Sequence, residues 1–306
     1  MKRSAIFYQI QETIVLKIVP KTEMQFSAHF FRNSSSFQLK NFPCTNGIHI
    51  PSSSSTITAK NNCFNFQLHL QPMGQKKRIR FEAIKHFSNV LEYPQDMKGK
   101  WNLFFHNESP ITLELACGKG EYALGLGRLY SNRNFIGIDI KGNRIWRGAK
   151  TALEERLTNV AFIRSHIDKI RDYFAPEEVA EIWITFPDPQ LRGSRAKKRL
   201  THPKFLRLYQ QVLGKEGIIH LKTDSPDLYR FTLAVINLFD LDLLENTDKV
   251  YEQENIKPDL TIKTHYEALD IAQSNQIHYL CFKINKELPL EKDAILKQLF
   301  NEPTID

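Results

Sequence analysis

The sequence predicts an α/β domain with a doubly wound, mostly parallel sheet of seven strands. Three observations predict this class: from Ile111 onward short apolar runs alternate with amphipathic helical windows, a glycine turn follows the first run, and an aspartate ends the second. Strands that alternate with helices indicate a parallel sheet covered by helices on both faces. Ligands of such sheets bind beyond the carboxyl ends of the strands, so the functional residues are expected there.

Seven apolar runs have the length and composition of strands. They span residues 111–115, 134–140, 160–164, 181–186, 217–223, 241–244 and 278–284. Four windows between them have helical character and span residues 120–130, 142–157, 203–213 and 226–239. In the second window Ile145, Ala149 and Ala152 recur on one helical face. Pro203 opens the third window, where proline suits the first turn of a helix.

Residues 1–72 differ in composition from the rest of the chain. They hold seven basic residues against two acidic ones, and two serine runs at 34–36 and 52–55. Because no long stretch has helical or strand periodicity, this region is predicted to be a low-complexity leader. It would be disordered, a Ser-rich transit peptide or, as we favour, sequence upstream of a true start at Met73. Residues 73–110 then form a basic N-terminal arm and lead-in, and residues 111–306 form the α/β domain.

Composition disfavours several classes of protein. Apolar content is 42%, which is ordinary for a globular chain, and no run approaches the roughly 20 apolar residues of a membrane span. The four cysteines are scattered without a CxxC pair, so neither a metal site nor a disulfide framework is predicted and a cytoplasmic location is expected. The net charge of +8 lies largely in the leader, so local clusters must argue for a nucleic-acid partner.

The first predicted strand and the turn after it indicate a cofactor site. In LELACGKGEYALGLG, Glu114 lies in the strand, and Gly118 and Gly120 lie in the turn, where glycine lets a ligand approach the backbone. Asp139 ends the second strand, 21 residues after Gly118, where a carboxylate can accept hydrogen bonds from ribose hydroxyls. Capping of the turn at Gly142 is the alternative role of Asp139. The glycine spacing alone does not exclude NAD.

Glu114 favours one class of cofactor. A carboxylate in a buried strand is costly unless it is paired, and the partner is either a cationic ligand or a cation of the core. S-adenosylmethionine carries an ammonium and a sulfonium group but no pyrophosphate, whereas an acid near the turn would repel the phosphates of NAD. The residues therefore favour S-adenosylmethionine.

A rigid acid followed by a basic run marks the predicted reacting site. In FPDPQLRGSRAKKR, Asp188 follows an apolar strand, which delivers it to the same edge of the sheet. Pro187 and Pro189 fix two φ angles and reduce the entropy lost on holding the acid in place. The acid and the cations together indicate a site where the protein recognises a nucleic-acid base and binds the neighbouring phosphates. A simple proline turn next to a solvated basic face is the alternative.

Three motifs together resemble those of the tRNA (guanine-N7-)-methyltransferase family, bacterial type. They are FPDP with its basic run, HLKTD at 220–224 and THYE at 264–267, and the likeness covers roughly residues 73–284. The resemblance implies the S-adenosylmethionine-dependent methyltransferase (Rossmann-like) type of fold. It also implies transfer of a methyl group to N7 of guanine 46 in the variable loop of tRNA. Expected partners are tRNA but no membrane and no metal, and the chain would be a monomer or homodimer.

The resemblance implies roles for individual residues. Cofactor-binding residues would be Glu114, Gly118, Gly120, Asp139, His166 and Asp188. Asp188 would also be the catalytic acid. Substrate-binding residues would be Arg192, Asp224, Thr264, His265, Tyr266 and Glu267. Contacts to the RNA would come from Ser194, Arg195, Lys197, Lys198 and Arg199.

Three positions depart from the pattern of the family. His166 stands where an acid or amide often binds the adenine end of the cofactor, although an imidazole can still make one hydrogen bond. Arg192 replaces a lysine, which keeps the charge but changes its geometry. Gln190 stands where tryptophan is common after FPDP, which alters the packing around the acid.

Other functions stay open beside the implied one. The chain could methylate another RNA base. Enzymes that act on exocyclic amines usually have an aromatic residue at the position of Gln190, so this residue disfavours that interpretation. It could also bind tRNA without catalysis. Glu114 disfavours a nicotinamide oxidoreductase. The stretch MGQKKRIR, which begins at Met73, is predicted to be a mobile arm on RNA, with a solvated tail as the alternative.

Overall fold

The computed structural model describes residues 12–16, 26–33, 36–39, 73–268 and 276–300 of the chain. The chain divides into two compact units, Met1–Pro72 and Met73–Asp306. No helix among the described residues is both long and apolar enough to span a membrane.

The first unit contains three strands, β1 (Glu12–Leu16), β2 (Phe26–Asn33) and β3 (Ser36–Leu39). They form an antiparallel sheet in the order β1–β2–β3. Disorder was one of the interpretations of the predicted low-complexity leader, and these three segments were not predicted as strands. Each is short, so periodicity over a long window misses it, yet β1 carries Thr, Ile and Val and β2 carries three Phe, which suit strands. A start of translation at Met73 stays a prediction.

The described part of the second unit is a sequence of alternating strands and helices. Its strands are β4 (Val90–Glu92), β5 (Ile111–Leu115), β6 (Asn134–Asp139), β7 (Val160–Arg164), β8 (Val179–Thr185), β9 (Leu213–Thr223), β10 (Asp242–Thr247) and β11 (His278–Lys283). Its helices are α1 (Met73–Ala83), α2 (Trp101–Phe105), α3 (Glu121–Leu129), α4 (Gly142–Glu154), α5 (Ile170–Tyr173), α6 (Pro203–Tyr209), α7 (Pro226–Phe239), α8 (Pro258–Thr261), α9 (His265–Ala268) and α10 (Lys292–Leu299).

The strands of the second unit form one sheet in the order β10–β11–β9–β8–β5–β6–β7–β4. The pairs from β9 through β8, β5, β6 and β7 to β4 are parallel, and β11 is antiparallel to both β9 and β10. From the β5–β8 pair the strand order continues through β6 and β7 on one side and through β9 on the other. Ligands of open α/β sheets bind at such a switch point. The predicted doubly wound, mostly parallel fold is confirmed.

The sheet differs from the prediction by one strand. β4, at Val90–Glu92, pairs with β7 and adds an eighth strand to the seven predicted. Three residues are too few to show a periodic pattern, so the sequence did not reveal it. Because β4 precedes Ile111, the sheet begins inside the segment that was assigned to the arm and lead-in.

The core lies in two layers, one on each face of the sheet. One cluster contains Leu113 and Ile182 together with Phe231 of α7, and the other contains Trp183 together with Tyr122 of α3. Ile182 and Trp183 are neighbours in β8 and belong to different clusters, as expected when successive side chains of a strand point to opposite faces. The central strand β5 is buried along its whole length, since both faces are covered.

The predicted RNA arm is an ordered helix in the structure. α1 packs against α4, and the Arg80 guanidinium lies 4.8 Å from the ring centroid of Trp146. The Arg164 guanidinium lies 4.2 Å from the ring centroid of Phe81. Cation–π contacts of this kind hold a helix that has no apolar stripe of its own. Its exposed cations, which include Lys76, remain available for a polyanion.

Candidate functional site

The residues expected to act together follow the carboxyl ends of neighbouring parallel strands. Glu114 lies near the end of β5, Asp139 ends β6, and Asp188 comes three residues after β8. Asp224 comes directly after β9. Because β6, β5, β8 and β9 are parallel neighbours, the structure brings these four acids to one edge of the sheet. His166, which follows β7 and is exposed, stands at the same edge.

The two glycines of the first turn are required for different reasons. Gly118 and Gly120 both have positive φ angles, 56° and 70°. A Cβ on Gly120 would lie 2.3 Å from the ring of Phe162, so packing also demands glycine there. A Cβ on Gly118 would meet nothing within 4 Å. Gly118 therefore presents bare backbone to open space, as a turn that cradles a ligand does.

Asp139 holds the glycine turn in place. One carboxylate oxygen accepts a hydrogen bond from the Gly118 N–H at 2.9 Å, and the other accepts one from the Lys141 N–H at 2.8 Å. The bond to Lys141 shows that the alternative role, capping of the turn before α4, is present. Each carboxylate oxygen can accept more than one bond, so the capping role leaves Asp139 able to receive ribose hydroxyls.

Glu114 is a buried acid with only neutral partners. Its side chain is 3% exposed and accepts hydrogen bonds from the Ala123 N–H at 2.8 Å and the Thr185 hydroxyl at 3.4 Å. Burial raises the pKa of Glu114 to about 8, although the bond from Ala123 opposes the shift. Within residues 73–268 and 276–300, no Lys, Arg or His forms an ion pair with it. The alternative of a core cation as its partner is therefore not what the structure contains, and a cationic ligand fits this carboxyl.

Asp188 stands on a strained turn. Phe186 and Gln190, on either side of the Pro-Asp-Pro sequence, have left-handed φ angles of 46° and 48°. Pro187 is buried while Asp188 is exposed, so the proline anchors the turn and the acid faces solvent. The Gln190 N–H donates to the Asp188 carboxylate at 3.0 Å, which limits the rotation of the acid.

The basic run after Asp188 forms an exposed 3₁₀ turn at Gly193–Lys198. Five of its polar side chains are exposed, and none forms an ion pair with a described residue: Arg192, Ser194, Arg195, Lys197 and Lys198. Free cations on a surface turn are suited to phosphates. Their position, a few residues from Asp188, places them beside the same edge of the sheet.

Comparison with known proteins identifies the family of this chain. A family model described as "Putative methyltransferase" matches residues 108–280. A tRNA (guanine-N(7)-)-methyltransferase of Christiangramia forsetii is 47% identical to this chain, and the match covers 69% of this chain and 100% of that relative. One from Porphyromonas gingivalis is 46% identical over 65% of this chain and 86% of its own length. Among solved structures, a 30S ribosomal A1408 methyltransferase from an uncultured bacterium is 19% identical, with a TM-score of 0.47 over 63% of this chain and 96% of that chain.

The chain belongs to the tRNA (guanine-N(7)-)-methyltransferase family. The resemblance inferred from three motifs is confirmed, and with it the S-adenosylmethionine-dependent, Rossmann-like type of fold. The roles of individual residues stay predictions, and the structure separates them into those that are free to bind and those that are engaged within the protein.

Arg199 differs from the rest of the methyltransferase's basic run. It was expected to contact RNA, but its side chain is 4% exposed. Its guanidinium donates to the carbonyls of Pro189 and Gln190 at 3.1 and 3.3 Å. A cation that is buried and bound to its own loop is not presented to phosphates, which corrects the expectation for this residue.

The THYE motif of the methyltransferase is largely engaged with itself. The Thr264 hydroxyl accepts from the Glu267 N–H at 3.1 Å, and the Glu267 carboxylate accepts from the Thr264 N–H at 3.4 Å. This reciprocal pair is a capping box at the start of α9. His265 and Tyr266 between them are exposed, so these two side chains are more accessible than the two that form the capping box.

Lys222 was not singled out by the sequence analysis, and it organises this part of the methyltransferase. Its side chain is fully buried at the end of β9 and pairs with Glu267 at 3.1 Å. Its ammonium group also donates to the Tyr251 hydroxyl and to the carbonyls of Leu260 and Ile262, at 2.9–3.1 Å. Burial lowers the pKa of Lys222 to about 8, while Glu267 opposes the shift. The available signal was a lysine near the end of the predicted strand GIIHLKT.

Asp224, next to this network, is half-buried and forms no hydrogen bond with a described residue. Ser225 after it caps α7 by accepting from the Leu228 N–H at 3.2 Å. The adjacent α7 is thereby fixed, and the Asp224 carboxylate is left free. Asp168, which lies two residues beyond His166, is instead paired with Lys204 at 3.2 Å.

A cavity of about 590 Å³ lies away from the acids. Its lining includes Lys98, Arg171, Lys215 and Leu213. Leu213 pairs with Val179, the first residue of β8, so this cavity is at the amino edge of the parallel strands. The described residues contain no group of three His, Cys, Asp or Glu side chains that could hold a metal ion. The edge that carries the four acids is the candidate site, and its role in the methyltransferase stays a prediction.

Proposed function

We propose that this chain transfers a methyl group from S-adenosylmethionine to N7 of guanine 46 in the variable loop of tRNA. The observation that carries the proposal is the common edge where Glu114, Asp139 and Asp188 stand beside an exposed basic turn. Membership of the family supports the reaction and the substrate class. We further propose that the protein acts in the cytoplasm, as a monomer or homodimer.

The residues of the first two strands fit S-adenosylmethionine. When bound, the cofactor supplies an electrophilic methyl group on a sulfonium. Glu114, which has no cationic partner among the described side chains, would be paired by its positive charge. Asp139 would accept from the ribose hydroxyls, and the open side of Gly118 leaves room for the ligand against the backbone.

The chemistry requires alignment rather than proton removal. Guanine N7 is a lone-pair acceptor without a proton, so no general base is needed to expose it. The protein has to hold N7 in line with the methyl group, which is catalysis by proximity and orientation. Asp188 and Asp224 can accept from N1–H and the 2-amino group of the guanine. Their negative charge also stabilises the positive charge that the purine gains as it is methylated.

The exposed cations belong on the phosphates. A cation at the reacting edge of the guanine would oppose its developing charge, so Arg192 and its neighbours are assigned to the RNA backbone. The exposed cations Lys76 and Arg78 of α1 form no ion pair with a described residue and extend the basic surface. Such contacts release counterions, and the affinity for tRNA is therefore expected to fall steeply with salt.

Incubation with labelled S-adenosylmethionine and bulk tRNA, followed by nucleoside analysis, tests the proposal. The expected product is 7-methylguanosine, and a tRNA transcript with adenine at position 46 should receive no label. A different methylated nucleoside would favour an enzyme for another RNA base, and tRNA binding without any product would favour a binding protein. Asp188→Ala should lose turnover while keeping most of its cofactor affinity. Near-normal turnover in that variant would reject the catalytic role of Asp188.

A further inference from the structure

Of the five cations in the basic run, all within the described residues, only Arg199 is buried. It closes the 3₁₀ turn, where its N–H donates to the Ala196 carbonyl at 3.0 Å, and its own carbonyl accepts from the His202 N–H at 3.0 Å. The backbone of Arg199 is thus fixed between the turn and the start of α6. From there its side chain reaches back under the start of the loop.

The Arg199 guanidinium connects the two ends of the loop. Nε donates to the Pro189 carbonyl at 3.1 Å and Nη2 donates to the Gln190 carbonyl at 3.3 Å. The ring of Phe231 lies 4.4 Å from the guanidinium carbon and supports it from α7. Pro189 and Gln190 directly follow Asp188, so the two bonds act on the peptide groups that set the direction of the acid.

The burial of the Arg199 guanidinium has an unfavourable free energy. Burial disfavours the charged form and lowers the pKa of Arg199, and Asp227 opposes the shift from a distance. No described carboxylate forms an ion pair with the guanidinium, and its Nη1 group is buried without a partner. A buried cation with incomplete hydrogen bonding costs stability. What it supplies in return is a planar group that holds two successive carbonyls in one geometry.

We propose that Arg199 is a positioning residue that orients Asp188 toward the guanine by holding the carbonyls of Pro189 and Gln190. The inference rests on the proposed function, because the role of Asp188 comes from it. Lys197 and Lys198 belong to the same run but are exposed and unpaired within the described structure. Burial therefore divides one run into a positioning arginine and RNA-binding lysines.

The test compares Arg199→Lys and Arg199→Gln with the double variant Lys197→Met/Lys198→Met. Lysine keeps the charge and glutamine keeps one N–H₂ group, but neither has the rigid planar fork by which Nε and Nη2 of arginine hold the two carbonyls here. For each protein we would measure kcat, KM for tRNA, the salt dependence of tRNA binding, melting temperature and affinity for S-adenosylmethionine. Arg199→Ala would also be assayed with added methylguanidinium, with sodium chloride at the same ionic strength as the control.

Arg199→Lys and Arg199→Gln are expected to lower kcat by about 10- to 100-fold, because small misplacements of a reacting group have effects of this size. Their tRNA affinity and salt slope should stay close to those of the wild type. Methylguanidinium should partly restore kcat in Arg199→Ala. The lysine double variant should show the opposite pattern, with weaker tRNA binding, a shallower salt slope and a larger effect on KM for tRNA than on kcat.

Three results would overturn the inference. A normal kcat in Arg199→Lys would do so, and a salt slope reduced by about 1 would make Arg199 a phosphate contact instead. Failure of both single variants to fold would reduce Arg199 to a structural residue. An inactive wild-type enzyme would contradict the proposed function as well. An active wild type whose Arg199→Lys variant is equally active would contradict only the role of Arg199.

Discussion

The two halves of the candidate site differ in the burial of their charged side chains. On the proposed cofactor side Glu114 and Asp139 are buried and held by backbone N–H groups. On the proposed RNA side Asp188 and the cations of the 3₁₀ turn are exposed, and these cations have no charged partner among the described residues. The exceptions on the RNA side are Arg199 and Lys222, which are buried and engaged with the backbone.

The difference fits the ligands that we propose for each half. A small cofactor of fixed shape is best bound by groups whose positions are set before it arrives. A polynucleotide is held mainly through phosphates, whose positions vary, so exposed and adaptable cations suit it. Buried charges are therefore expected to control stability and the alignment of groups, while exposed charges control affinity and its dependence on salt.

Removal of Lys222 should have the largest effect on stability. Lys222→Met leaves the buried Glu267 carboxylate without its cation, and breaking a buried pair in this way costs about 3–5 kcal/mol. The free energy of unfolding from urea titration measures it. The matched control is Lys249→Met, which removes an exposed pair with Glu252 and should cost about 0–1 kcal/mol. Equal losses in the two variants would erase the distinction between buried and exposed charges.

Glu114 should make stability depend on pH. Its pKa of about 8 in the folded protein lies above the ordinary value of 4.5, so the folded state holds a proton that the unfolded state has lost between these values. Its contribution is fully present below about pH 4.5 and is lost as pH rises toward 8, by up to ~1.4 kcal/mol per pH unit. Melting temperatures of the ligand-free protein across this range should fall more steeply than those of Glu114→Gln. Parallel curves would show that Glu114 does not bind this proton.

Binding of a cation beside Glu114 should displace the same proton. Calorimetric titration with S-adenosylmethionine near pH 7, in two buffers of different ionisation enthalpy, would give different apparent enthalpies for the wild type. In Glu114→Gln the two buffers should give the same enthalpy. A buffer dependence that survives in Glu114→Gln would place the released proton elsewhere.

Substitutions at the two glycines of the turn should have different effects, because Gly120 is required for packing and Gly118 for access of the ligand. Gly120→Ala forces a left-handed alanine against Phe162 and should cost about 1–3 kcal/mol in unfolding free energy. Gly118→Ala has the same backbone strain but no clash, so it should cost less stability and reduce the affinity for S-adenosylmethionine more. Unfolding titrations and cofactor titrations of both variants measure the contrast. A larger stability loss at Gly118 would contradict it.

The smallest expected effect is confined to the exposed lysines. Lys197→Met/Lys198→Met should reduce the salt slope of tRNA binding by about 1 for each phosphate that the variant no longer neutralises. The control removes two exposed lysines near the opposite edge of the sheet, Lys98→Met/Lys215→Met, and the same amount of net charge. Its salt slope should stay unchanged. Equal changes in both double variants would mean that bulk charge, and not this turn, binds the tRNA.

Sequence reasoning could recover the features that are local in the chain. The seven strands β5–β11 were predicted from apolar runs, and Glu114 stood out as an acid inside one of these runs. β4 was missed because three residues carry no pattern. The helix α1 could not be read from an apolar stripe, since MGQKKRIR has none and the helix is held by contacts between cations and rings.

Sequence reasoning failed where a role depends on a distant partner. Lys222 and Glu267 are 45 residues apart, and nothing in either motif indicates that they meet. Arg199 was grouped with its exposed neighbours because a basic run looks uniform in sequence. Its burial depends on the carbonyls of Pro189 and Gln190, which any residue type would supply, so no side-chain pattern could have marked it.

The left-handed backbone at Gln190 has a consequence for protein engineering. A non-glycine residue held in this conformation stores an energy of about 1–3 kcal/mol. Glycine at this position would release that energy, although the larger entropy of the unfolded chain would offset about 0.4–1 kcal/mol of it. The melting temperature of Gln190→Gly would then stay level or rise, while the backbone next to the acid would become less restricted. A library of variants ranked by heat resistance alone would keep this substitution, and one ranked by product formed would discard it.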